Sequence, residues 1–181
     1  MPDVIAPGLD VLFVGINPGL LSARAGHHFA NPSNAFWRLL HESGFTPRRM
    51  APHEDYQLPR FRLGITNIVA RETAGASELT RDELSLGAAS LGRRIRRFKP
   101  RAVVFVGVTV WAPFARRFGL ATAAPSKIGE QPESFAGARL FVLPNPSGRN
   151  AHFTRAQMLR LYRQAARALR SEVLAEADAH G

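Results

Sequence analysis

Two short strand-like runs that each break off at an asparagine–proline turn constrain this chain more than any other feature. Leu12 to Ile16 is branched or aromatic almost throughout and stops at Asn17-Pro18-Gly19. Arg139 to Leu143 is apolar after its first residue and stops at Pro144-Asn145-Pro146-Ser147-Gly148. Such runs read as buried strands. Pro18 fixes its own φ and keeps Asn17 out of the helical region, while Gly19 permits positive φ. Each run therefore delivers a polar amide to the C-terminal mouth of a core strand, where ligands bind in open α/β sheets. From these residues alone an ordinary strand-and-turn stays equally open. A dinucleotide fingerprint does not fit, because Gly15-Ile16-Asn17-Pro18-Gly19 lacks the G-x-G-x-x-G spacing and carries a proline.

The remaining chain alternates between the two periodicities. Met1 to Gly8 reads as a lead over the surface, and Leu20 to Ser33 as a long loop containing Gly26-His27-His28-Phe29. Asn34 to Ser43 places Phe36, Leu39 and Leu40 on one helical face with Gly44 as its stop. Arg48 to Arg60, with Pro52 and Pro59, reads as irregular, and Arg62 to Val69 as a second strand interrupted by polar residues. Thr80-Arg81-Asp82-Glu83 is a capping box, stapled by Leu79 and Leu84. The helix it opens runs through Leu84, Ala88, Leu91, Ile95 and Phe98 to Lys99-Pro100. Its other face carries Arg93, Arg94, Arg96 and Arg97, read as a solvated face.

Ala102 to Gly107 has no alternation, as a central strand buried on both sides should. A short helix is predicted over Val110 to Phe118, and a loop over Gly119 to Gly137. A second capping box, Thr154 with Gln157, opens a final helix whose inward face holds Met158, Leu161, Tyr162, Ala165 and Leu169. The acidic, alanine-rich tail from Glu172 is expected to fray. Strands alternating with helices predict one three-layer α/β/α domain over residues 1–181, built around a mainly parallel central sheet.

Charge narrows the partners. Lysine plus arginine number 24 against 14 acidic residues, a net charge of +10, and a field of that sign attracts polyanions such as nucleic acid. Cysteine is absent, which excludes disulfides, thiol nucleophiles and thiolate-held iron–sulfur clusters. His27 and His28 are neighbours without further ligands, so no metal or cofactor is expected. No basic-then-apolar leader opens the chain, and the longest apolar run, Ala102 to Val106, is far too short for a bilayer. A soluble cytoplasmic protein is expected.

Five motifs in order carry a resemblance. Ile16-Asn17-Pro18-Gly19, Gly26-His27-His28-Phe29, Asn34-Ala35-Phe36-Trp37, Thr66-Asn67-Ile68-Val69 and Asn145-Pro146-Ser147-Gly148 together resemble the mismatch-specific uracil/thymine DNA glycosylases. These form the MUG/TDG branch of the uracil-DNA glycosylase superfamily. The match runs from about residue 6 to residue 170. Other branches fit less well: the most active uracil glycosylases resemble Gly-Gln-Asp-Pro-Tyr at the first motif, with a carboxylate where this chain has Asn17. The iron–sulfur branches need four thiolates.

The resemblance implies a monomeric, cofactor-free enzyme that flips a uracil or mismatched pyrimidine out of double-stranded DNA and hydrolyses its glycosidic bond. It implies that Asn17 positions the attacking water and that Ile16, Gly19, Phe29 and Asn67 form the base pocket, Phe29 stacking on the base. It further implies that Asn145, Pro146, Ser147, Gly148, Arg149 and Asn150 form the loop entering the minor groove, with Arg149 as the wedge. Many bacterial relatives carry leucine at that wedge and lysine at the Asn67 position. A rival from another class is a lesion-binding module of the same fold without turnover. A nucleotide-binding α/β enzyme is disfavoured by the missing phosphate-loop pattern.

Overall fold

The computed structural model describes residues 1–120 and 128–179, the last ten of these as backbone. Among the described residues five strands form, β1 (Val11–Gly15), β2 (Leu63–Asn67), β3 (Ala102–Val106), β4 (Gly129–Phe135) and β5 (Ala138–Leu143), all but β4 on apolar runs. They form one sheet in the order β2-β1-β3-β5-β4. All neighbours pair in parallel except β4, which runs antiparallel to β5. Register sets Gly15 beside Asn67, Val14 beside Phe105, and Val106 beside Leu143, so the polar strand ends finish at one edge.

Among the described residues the α-helices are α1 (Leu20–Ala25), α2 (Phe36–Glu42), α3 (Arg81–Phe98), α4 (Val108–Phe118) and α5 (Arg155–Ala179). Successive strand residues point to opposite faces, and here both faces are covered. Leu12, Val14, Phe105 and Val142 pack with Leu91 and Ile95 of α3 and Trp111 and Phe114 of α4. Val11, Phe13, Val104 and Phe141 pack with Phe36 and Leu39 of α2 and Met158 and Tyr162 of α5. This is the three-layer α/β/α arrangement expected from the alternation of elements. Each fully buried valine or phenylalanine contributes roughly 1.5–3 kcal/mol, so β3 with its five buried residues anchors the whole.

Both capping boxes form. Thr80 Oγ1 accepts from Glu83 N at 3.1 Å while Thr80 N donates to Glu83 Oε2 at 2.8 Å. Thr154 and Gln157 repeat the exchange at 3.2 and 2.8 Å. Several expectations are corrected. The 20–33 segment opens with α1, closed by Gly26 in the left-handed conformation. Residues 52–61 form a 3-10 helix with Pro52 at its start. The 119–137 stretch, of which 121–127 lie outside the described residues, contains β4. The lead is tied to the sheet: Val4 pairs with Ile65 through bonds of 2.9 and 2.8 Å. The backbone of α5 stays helical past Glu172 to Ala179, alanine and glutamate being strong helix formers.

The run 93–97 is only partly a solvated face. Arg93, Arg96 and Arg97 are exposed, whereas Arg94 turns inward. Its Nη1 donates to Asp3 Oδ2 at 2.8 Å and to Thr66 Oγ1, and its Nη2 donates to Asn67 O at 3.0 Å.

Candidate active site

The chain leaves β1 toward β2 on one side and returns to β3 on the other, so the C-terminal ends of β1 and β3 form the switch point where such sheets bind ligands. A cavity of about 690 Å³ opens there, a size that suits a small ligand. Ile16, Asn17, Gly19, Phe29, Asn67, Asn145, Ser147, Arg149 and Asn150 all line it. Pro146 and Gly148 are not among its lining residues. Pro146 O accepts from Ala35 N at 2.9 Å, and a Cβ on Gly148 would lie 3.0 Å from Ser33, so glycine lets the two loops meet.

Asn17 is oriented by its own amide. Nδ2 donates to Thr73 Oγ1 at 2.7 Å and to Arg71 O at 2.9 Å, with a longer approach of 3.3 Å to Pro18 O. A carbonyl can only accept, so the amide cannot be flipped without setting oxygen against oxygen. Both amide hydrogens are thus occupied, and Oδ1 accepts no bond among the described residues. That oxygen is the atom available to a water.

The Arg71–Thr73 segment is held in turn. Thr73 N donates to Pro18 O at 3.2 Å, and Gly19 bridges Thr73. Arg71 Nε meets Glu83 Oε1 at 2.6 Å, and its Nη2 donates to Glu78 O. Arg71 and the Thr80 backbone hold the Glu83 carboxyl down at about 2. The capping residue of α3 therefore also fixes the loop that aims Asn17.

Phe29 and Asn67 converge on Gly15. A Cβ there would sit 2.5 Å from Asn67 Oδ1 and 3.4 Å from Phe29 Cζ. Phe29 has φ +51°, an uncommon conformation for a bulky residue, of the kind that clusters at functional sites. It is bolted in place on both sides. His28 N donates to Asp55 Oδ2 at 3.0 Å, Trp37 Nε1 donates to His28 O at 3.0 Å, and Ala30 N donates to Ser22 Oγ at 3.0 Å. One face of the ring stacks on Phe36, with centroids 4.2 Å apart and 22° between planes.

A model of the Uracil DNA glycosylase superfamily matches residues 2–170. The chain belongs to that superfamily. As a member it is a DNA-repair glycosylase, a hydrolase of the uracil N-glycosyl bond with DNA as its partner. Its fold is similar to a solution NMR structure from Methanosarcina acetivorans, of a protein named as a candidate uracil DNA glycosylase. That likeness has a TM-score of 0.56 at 22% identity and covers 91% of this chain and 96% of the other.

In this glycosylase the loop after β5 is internally braced. Ser147 N donates to Asn145 Oδ1 at 3.0 Å, and Asn150 Nδ2 donates to Asn145 O at 2.8 Å. Arg149 is exposed and its Nη1 reaches Ala74 O at 3.4 Å, spanning the mouth between two loops. The two histidines serve the wall. His27 Nδ1 lies 3.1 Å from Asp55 Oδ1, while buried His28 donates from Nε2 to Pro2 O at 2.9 Å. Burial pushes the His28 pKa below its ordinary value, favouring the neutral imidazole.

Thr73, Arg71 and Arg94 make contacts at the site that no sequence motif announces. Thr73 carries no pattern of its own. Arg71 gave one available signal, standing twelve residues before the capping Glu83 that it grips.

Proposed function

We propose that this chain is a monofunctional glycosylase of the mismatch-specific uracil/thymine type, acting as a monomer on uracil or a mismatched pyrimidine in duplex DNA. The observation that carries it is the cavity in which an amide oxygen held free on Asn17 faces the same space as Phe29 and Asn67. A base in a duplex is out of reach of any catalytic group and must rotate into such a pocket. Phe29, backed by Phe36, offers a flat surface for it.

An amide oxygen is hardly basic, so Asn17 orients and polarises the water rather than deprotonating it. The glycosidic bond therefore breaks first, giving an oxocarbenium-like sugar and a pyrimidine anion, and water adds late. Donors already fixed before the base arrives stabilise that anion best. The Asn67 amide, with both a donor and an acceptor, serves the base edge and disfavours cytosine. No lysine is among the described residues lining the cavity, and this reading includes no Schiff base and no strand cleavage. The product is an abasic site.

The deciding experiment is an excision panel that varies the damaged base and the opposing base, read as alkali-labile sites. Release of uracil and thymine opposite guanine supports the reading. Binding without any release would leave only a lesion-binding module.

A further inference from the structure

A second cavity lies behind the Phe29 wall. It measures about 440 Å³ and sits between the 29–35 segment, the first turn of α2 and residues 49–54. It shares only Phe29, Asn31 and Asn34 with the base cavity. Two arginines, Arg38 and Arg49, line it, and Glu54 is its one acidic lining residue. That carboxylate is already occupied: Arg48 donates to it at 3.1 and 2.7 Å and Ala51 N at 2.8 Å, holding it at about 2.

Neither lining arginine is answered. Arg38 Nε is buried and has no hydrogen-bond partner among the described residues. Arg49 is exposed at the rim, and its side chain joins no ion pair among the described residues. Asn34 Oδ1 accepts from Phe36 N at 2.9 Å, which turns its NH₂ into a further donor. The unanswered side-chain groups named here are thus donors, two of them on permanently charged guanidiniums. A buried donor without an acceptor is destabilising, and two like charges on one concavity repel. A planar guanidinium fork matches the oxygens of a phosphate.

We propose that Arg38 and Arg49 grip a backbone phosphate of the DNA strand that carries the extruded nucleotide. The shared wall is the reason: a strand whose base enters one cavity past Phe29 lies beside the other. The proposal rests on the base cavity holding that nucleotide.

The test uses the full chain and a duplex with 2′-fluorinated deoxyuridine, whose electron-withdrawing substituent resists bond cleavage. Binding is measured against salt, and each phosphate near the lesion is replaced in turn by a neutral methylphosphonate. In R38Q/R49Q the slope of log K against log salt should shrink by about one. One methylphosphonate position should weaken the wild type about tenfold or more and leave the variant unmoved. The melting temperature of the free variant should not fall, since the buried unpartnered Nε of Arg38 is lost.

A variant that keeps every sensitive position of the wild type overturns the proposal. So does a lowered melting temperature with an unchanged slope, which makes Arg38 structural. Stabilisation of the wild type alone by inorganic phosphate, with equal DNA slopes, also overturns it in favour of a free anion. If the wild type releases uracil from ordinary duplex yet the scans coincide, this inference alone fails. If it releases none and ignores the duplex, the glycosylase reading falls with it.

Discussion

Asn17 Nδ2 donates to the Thr73 hydroxyl at 2.7 Å across 56 residues of chain. The reactive end of the first strand is thereby set by a residue of the loop that follows the second. Asn17→Ala removes the oxygen proposed to orient water, together with the amide bonds to Thr73 and Arg71 O. Single-turnover uracil release should fall below detection while duplex affinity stays within about threefold, since the change lies in the pocket and not in the loop proposed to enter the groove. Equal loss of binding and release would contradict the assignment.

Gly15→Ala tests the convergence of Phe29 and Asn67. The new Cβ must displace the Asn67 amide, and a misplacement of about 1 Å costs roughly 10–100-fold in rate. The circular dichroism spectrum should be unchanged. Adding Asn67→Ala should cost little more, because both changes remove the same contact.

Arg149→Ala separates duplex from single strand. Filling the gap left by a flipped nucleotide matters only where a stack has been broken, so duplex processing should drop about tenfold or more and single-strand processing hardly at all. Parallel losses would show that Arg149 acts on the pocket through Ala74 O instead.

Arg94→Lys replaces a fork that serves Asp3, Thr66 and Asn67 O with a single point charge. Denaturant unfolding should show a loss of roughly 1–2 kcal/mol, reduced from a fully buried network because the side chain is 19% exposed. The KM for uracil DNA should rise more than that of a surface Arg93→Lys control.

His28 makes stability depend on pH. Burial holds its folded pKa below the ordinary 6.5, with the Pro2 carbonyl and nearby Asp55 partly opposing. Below about 6.5 the unfolded chain binds a proton that the folded chain refuses, so stability rises with pH across that window and is flat above it. Melting temperatures from about pH 8 to about pH 5 should fall more steeply in the wild type than in His28→Gln.

What could be read from the sequence was local. β1, β2, β3 and β5, α3 and α5 announce themselves through apolar periodicity and capping boxes that neighbours in sequence complete. β4 did not: as an edge strand it exposes Glu130, Pro132 and Ser134 and buries only Gln131 and Phe135, so composition disguised it as loop. α1 has six residues and no side-chain cap, too little for a periodic signal. Arg94 differs from Arg93 and Arg96 only in where the helix points it, which is fixed by packing. The proposed pocket residues meet in one cavity from different places: Ile16 and Gly19 follow β1, Asn67 ends β2 and Phe29 follows α1. The Thr73 contact depends on how two distant loops settle against each other.

The unusual twist at Phe29 has one more effect. A ring seated on backbone wound against its preference, and pinned by three neighbouring bonds, has no freedom left to surrender when a guest arrives. The shelf is finished during folding, so in the proposed role a nucleobase landing on it loses nothing to ordering the ring.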